Sequence, residues 1–237
     1  MLGLYNNMIS ITSSTTKRRY KMPQTITLNK DSLEIQHLCK KDKRLAKVIS
    51  MVGPICYETH SEHPYSFLVH EIIEQMLSIK AGAKIYSRLE ELCNGNITPD
   101  NVNNLSNEQL KSIGTSNAKV TYIKGLTDAI LSGKLDLSTL EYMDDVTVTK
   151  ELTRLKGIGN WTAKMYLIFV LDRQDILPFE DAAFLQGYAW AYKTTDFSPS
   201  SIKTKCRKWK PYSSIAARYM YRALDAGLTR EEFHLFK

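Results

Sequence analysis

Two glycines stand two apart in the stretch LKGIGNW, Leu155 to Trp161, between segments that both read as helical. A turn this short leaves the first backbone N–H groups of the second helix without intrahelical partners. The helix dipole adds partial positive charge there, and glycine lets another backbone come close. Gly157, Ile158 and Gly159 are therefore expected to form an anion site suited to phosphate. A phosphate held this way positions a nucleic acid without reading its sequence. The same Gly-x-Gly also makes an ordinary helix–helix turn, and the spacing alone does not separate the two readings.

The charge of the chain narrows the choice of anion. The 237 residues carry 32 Lys and Arg against 25 Asp and Glu, a net charge of +7. That balance favours an anionic partner, nucleic acid first, although a mildly basic solvated surface has the same sum. Cys39, Cys56, Cys93 and Cys206 are widely spaced, with no C-x-x-C pair. Structural zinc and iron–sulfur clusters need clustered thiolates, so no metal is expected. A chain of this length with a full apolar complement has no need of a disulfide framework. A reducing compartment follows as the expectation, cytoplasmic beside a prokaryotic nucleoid or nuclear in a eukaryote. No apolar run reaches the roughly 18–20 residues that span a bilayer. The longest, Met165 to Leu171, reads as a buried helical segment, so no membrane partner is expected.

The elements that must position the hairpin are helical. From Pro64, the residues Tyr65, Leu68, Val69, Ile72, Ile73 and Met76 fall on one apolar stripe. A second helix runs through KAGAKIYSRLEELC, and NGNITPDN is a loop of turn formers. SNEQLKSIG is a short helix with Ser106 as N-cap, Gln109 as its capping-box partner and Gly114 as its stop. Lys119 to Leu131 is amphipathic, with Val120, Ile123, Leu126 and Ile130 on one face. Short helices carry Leu140, Met143, Leu152 and Leu155 towards the hairpin. DRQDILPFEDAAF is a loop entering another helix, and the last long helix runs from about Ser213 to Ala226, capped by Gly227. Thr229 and Glu232 are expected to form a capping box for a terminal turn. Only Gln24 to Leu28 alternates like a strand. The fold class is therefore all-α, with two helical lobes and the hairpin at the cleft between them. The expected boundaries put one lobe at about 64–175 and the other at 23–63 plus 176–237. Residues 1–22, with the basic run Lys17 to Lys21, are expected to be a disordered tail. A transit peptide, a nuclear signal or a true start at Met22 are the alternatives.

Five blocks, in order, carry a family resemblance. LKGIGNWTAKM resembles the helix-hairpin-helix of the base-excision DNA glycosylase superfamily. DILPFED resembles the loop that delivers that superfamily's catalytic aspartate, and RKWKPYSSIAARYMYRAL its closing helix. IIEQMLSIKAGAKIYSRL and IGTSNAKVTYIKGL are similar to its two upstream blocks. The resemblance spans roughly 33–224, and GIGNWTA looks like the alkylpurine (3-methyladenine) branch in a compact form without the N-terminal β domain.

What that resemblance implies can be stated by residue. Asp181 would be the catalytic carboxylate, with Glu180 and Asp175 as competitors and a plain helix N-cap as the alternative role. Lyase members carry a lysine two places after the second glycine; Trp161 stands there, which implies a monofunctional hydrolase. Trp161 and Tyr212 would line the pocket for the flipped base, with Met165 where the family often has another aromatic. Simple core packing is the alternative for Trp161. Gln75 and Met76 would occupy the wedge position, although Met76 also belongs to the apolar stripe and so is equally a core candidate. Lys156, Lys208, Lys210 and Ser213 would contact the DNA backbone, the basic run from Lys203 flanking the groove or forming a solvated loop. The hairpin carbonyls would suit a monovalent cation, and no other cofactor is implied. The partner would be double-stranded DNA with damaged bases, bound by a monomer. Excision of an oxidised or deaminated purine, and a non-catalytic DNA-binding module, are the other functions left open.

Overall fold

The computed structural model describes residues 24–59 and 63–236; the expected tail at 1–22 lies outside them. The chain divides into two units. One comprises residues 60–171, and the other 1–59 together with 172–237. These boundaries fall four residues before those expected from the sequence.

The discontinuous unit opens with strand β1 (Gln24–Leu28), helices α1 (Leu33–Lys41) and α2 (Lys43–Val52), and strand β2 (Ile55–Thr59). The strands pair antiparallel from Gln24 opposite Thr59 to Leu28 opposite Ile55. β2 was not legible as a strand, because ICYET has no clean alternation. Helix α2 begins at Asp42, whose Oδ1 accepts from the N–H groups of Arg44 at 3.0 Å and Leu45 at 3.3 Å.

The continuous unit is wholly helical among its described residues. It contains α3 (Pro64–Glu74), α4 (Ile79–Leu92), α5 (Pro99–Asn103), α6 (Asn107–Ser112), α7 (Asn117–Leu131), α8 (Asp145–Thr153) and α9 (Asn160–Met165). α9 runs on into a π-helical turn, Tyr166–Val170. The capping box of Ser106 and Gln109 forms as expected, and Gly114 takes the left-handed φ of +108° that ends α6. Tyr65, Leu68, Val69, Ile72 and Ile73 are buried, so the stripe on α3 faces the core as far as Ile73. It does not include Met76, since α3 stops at Glu74 and Met76 is fully exposed.

Helix α7 is the unit's central scaffold. Its buried face carries Val120, Ile123 and Leu126, and two of its lysines cap other helices. The ammonium of Lys124 donates to the carbonyls of Val102 and Asn103, both at 3.0 Å, and Leu105 at 2.6 Å, at the end of α5. Lys119 does the same at the end of α3. A cation at a helix C-terminus satisfies orphan carbonyls and favours the dipole.

The chain then returns to the first unit with α10 (Ala182–Tyr192), α11 (Pro199–Cys206) and α12 (Ser213–Asp225). The second oxygen of buried Asp42 ties this part together. It accepts from the Tyr192 hydroxyl, from Trp209 Nε1 at 2.9 Å, and lies 3.1 Å from Lys208 Nζ. Burial alone would raise the pKa of this carboxyl. The donors of Tyr192, Trp209 and Lys208 outweigh that and lower it. The expected capping box at Thr229 does not form. Leu228–Arg230 is a 3-10 turn and Glu231 is extended, so Thr229 sits inside a turn rather than before one.

Candidate active site

The two hairpin glycines are glycines for different reasons. Gly157 has φ +93°, and a Cβ there would lie 2.3 Å from the Tyr122 ring of α7. Conformation and packing both demand glycine. Gly159 has φ −100° and ψ 179°, which any residue adopts, and a Cβ there would meet nothing within 4 Å. It is exposed and forms the N-cap of α9 without a side-chain cap. The protein itself does not ask for glycine at 159. Ile158 between them is 4% exposed and anchors the turn, while Lys156 and Asn160 are exposed beside it. Trp161 is half-buried on the first turn of α9. Met165 is buried one turn on, immediately before the π turn. Such turns are frequent at functional sites.

The hairpin is joined to the turn that follows α3. Gln75 Nε2 donates to the Gly157 carbonyl at 2.8 Å. Gln75 has φ −50° and ψ 128°, Met76 has φ +58°, and the Leu77 N–H returns to the Glu74 carbonyl at 3.0 Å. That is a type II turn, whose third position favours glycine. A fully exposed methionine occupies it instead, followed by the half-exposed Leu77 and Ile79. Met76 is therefore no part of the core.

The other unit holds the carboxylates. Asp181 is 3% exposed and is the N-cap of α10, its Oδ1 accepting from the Phe184 N–H at 2.7 Å. Asp175 is committed elsewhere: its Oδ1 accepts from the Ser213 hydroxyl at 2.5 Å, and its Oδ2 lies 3.5 Å from Lys210 Nζ. Ser213 is 2% exposed, which places it beneath the surface at the start of α12. The Gln174 carbonyl and Ile176 N–H bond to the Ser214 backbone and hydroxyl at 2.9 Å each, so the loop before Asp181 is stitched to α12. Glu180 is exposed. Of the three candidate carboxylates, Asp181 alone is both buried and fixed at a helix start.

Tyr212 is half-buried just before α12, with its ring 5.4 Å from His37 in an edge contact. Lys208 has its ammonium on Asp42 rather than turned fully to solvent. The basic run from Lys203 is not a loop, because Lys203 and Lys205 belong to α11. Lys203 Nζ lies 4.3 Å over the Phe179 ring of the loop that carries Asp181. Sequence reasoning missed Lys119, Tyr122 and Asp42. A lysine four residues before Ile123 on the apolar face of α7 was the available signal for the first.

Comparison with known proteins gives these features a setting. A model of the HhH-GPD superfamily base excision DNA repair proteins matches residues 69–211. The alkylbase DNA glycosidase-like protein mag2 of Schizosaccharomyces pombe is 30% identical over 193 residues, which are 78% of this chain and 90% of that protein. The crystal structure of a DNA-3-methyladenine glycosidase from Bacillus halodurans superposes with a TM-score of 0.78 at 33% identity, covering 89% of this chain and 97% of the other. The S. pombe 3-methyladenine DNA glycosylase Mag1, solved in complex with abasic DNA, gives a TM-score of 0.75 at 26% identity over 82% and 97%. The matched span includes the turn after α3, the hairpin and Asp181, and the chain belongs to the HhH-GPD superfamily of base excision DNA repair proteins.

Proposed function

We propose that this protein is a monofunctional DNA glycosylase that extrudes alkylated purines, of the 3-methyladenine and 7-methylguanine type, and hydrolyses their N-glycosidic bond. The observation that carries the reading is Asp181: a buried carboxylate held at the start of α10, at the exit of a loop stitched to α12. Membership of the superfamily supplies the setting, and the names of the relatives supply the alkylated base.

The chemistry follows from the groups. An enzyme acting on a base inside a duplex must first extrude it. The C1′–N bond then breaks with both electrons leaving on the base. An alkylated purine is cationic in the nucleotide and departs neutral, so it needs little acid assistance. Oxocarbenium character develops on the sugar, and a fixed carboxylate stabilises it. Water adds to C1′ and gives up a proton, for which the same carboxylate is the acceptor. The Phe184 N–H bond holds Asp181 Oδ1 in place for this role. Trp161 and Tyr212 offer electron-rich faces to an electron-poor base. Met165 stands where the family often has another aromatic, so at that position the pocket offers the base a thioether in place of a ring.

Gly159 and the start of α9 receive a phosphate, with Lys156 beside them. Lys210 adds positive charge near the start of α12. The Leu155 and Gly157 carbonyls each accept one protein hydrogen bond and keep a second lone pair, so they fit a monovalent cation. Such a cation would add positive charge under the phosphate, and no step of the reaction passes through it.

Trp161 stands where a lyase would carry its nucleophilic lysine, so no Schiff base is expected. The test incubates the protein in parallel with methylated duplex DNA and with duplexes carrying hypoxanthine or 8-oxoguanine, and separates the products by chromatography. Free 3-methyladenine or 7-methylguanine is expected, with strand breaks only after alkali and no borohydride-trapped complex. Breaks without alkali would overturn the monofunctional assignment. Release of hypoxanthine or 8-oxoguanine in place of methylated bases would move the enzyme to a different lesion.

A further inference from the structure

The ammonium of Lys119 donates to two carbonyls at once, Ile73 and Gln75, both at 2.7 Å. Ile73 lies in the last turn of α3 and Gln75 is the first central residue of the type II turn. The Glu74 carbonyl between them takes the Leu77 N–H at 3.0 Å. Three successive carbonyls are thus satisfied in the geometry that pushes Met76 outward. The Gln75 side chain then fixes the turn to Gly157 of the hairpin at 2.8 Å. Tyr122, three residues after Lys119 on α7, fills the space under the same glycine. One face of α7 therefore holds both the exposed methionine and the phosphate-binding hairpin.

The arrangement is costly in two ways. A non-glycine residue at φ +58° is strained, by about 1 kcal/mol or more. Burial also lowers the pKa of the Lys119 ammonium, the mark of a charge drawn away from water. Neither cost is needed to end a helix, which Gly, Asn or solvent would do. Both are explained if the turn must hold an apolar side chain in one direction.

We infer that Lys119 is the positioning residue of the base-extruding wedge, clamping the carbonyls of Ile73 and Gln75 so that Met76 is presented to the duplex. This rests on the reading of Met76 as a wedge between base steps, and the experiment separates the two claims. The probe is a duplex with a tetrahydrofuran abasic analogue and a neighbouring 2-aminopurine, whose fluorescence rises when it is unstacked. No base excision is needed for the signal. Lys119→Met, Lys119→Arg and Met76→Ala are compared with wild type, and circular dichroism checks the fold. If Lys119→Met does not fold, Lys119→Gln, which is shorter and reaches one carbonyl at most, is read in its place.

Wild type is expected to raise the fluorescence. Met76→Ala and Lys119→Met should each lose most of the rise, with excision from duplex DNA falling about tenfold. Excision of the same base from single-stranded DNA, where no stack has to be opened, should change far less. Lys119→Arg keeps cationic donors and should restore much of the signal. A purely structural lysine would lower both excision rates together. If Met76→Ala abolishes the rise and Lys119→Met leaves it intact, the role of Lys119 is overturned. If wild type gives no rise, or Met76→Ala keeps it, the wedge itself is overturned and the role of Lys119 with it.

Discussion

At the scale of single residues, Met76 shows what a periodicity count misses. It falls at i+11 from Tyr65, so sequence alone places it equally well in the core or at the surface. The helix stops two residues earlier because Lys119, 43 positions further along the chain, takes the last carbonyls. No local signal in the sequence reports that contact, although Ser78, the N-cap of α4, hints that a break precedes it. The strain at Met76 gives a test that separates stability from function. Glycine adopts φ +58° freely, so Met76→Gly should leave stability to urea unchanged or raise it by up to about 1 kcal/mol. The same variant should lose excision from duplex DNA. A loss of stability of a few kcal/mol would instead return Met76 to the core.

Among the elements, the hairpin was legible in part. The Gly-x-Gly break and the buried helix after it follow from composition and spacing. The different needs of its two glycines do not, because the ring that demands Gly157 belongs to Tyr122 on another helix. Gly157→Ala should destabilise the fold by about 2 kcal/mol or more, since it combines positive φ with a clash. Gly159→Ala should be neutral or slightly stabilising in unfolding experiments, yet weaken duplex binding several-fold by obstructing a phosphate. Equal destabilisation by both substitutions would show that Gly159 serves the turn alone. α1, α2 and α11 were not anticipated. Their short apolar sets are interrupted by charge, and they are held by partners distant in the chain, such as Arg44 Nη1 on the Ala191 carbonyl at 2.7 Å.

For the molecule as a whole, the order of the five sequence blocks carried the most information. It pointed to the superfamily and to the aspartate at the loop exit. What it did not show is how the first unit closes on itself. Buried Asp42 joins α2, α10 and the turn after α11, drawing in Lys208, which sequence alone assigned to DNA. Arg218, 6% exposed, lies 4.0 Å over the Tyr57 ring and 3.3 Å from Asp172, linking α12 to β2 and to the start of the returning chain. Charges like these look solvated in a sequence, because their partners lie from 46 to 167 residues away. The central claim is that one carboxylate, Asp181, performs the hydrolysis. Asparagine caps a helix about as well as aspartate, so Asp181→Asn removes the charge and keeps the support of α10. The decisive measurement is the rate of base release from methylated duplex DNA by wild type and Asp181→Asn under single-turnover conditions, with duplex binding measured alongside. The account predicts a fall of about 10²–10³-fold with binding retained. Release by the variant at the wild-type rate would contradict it.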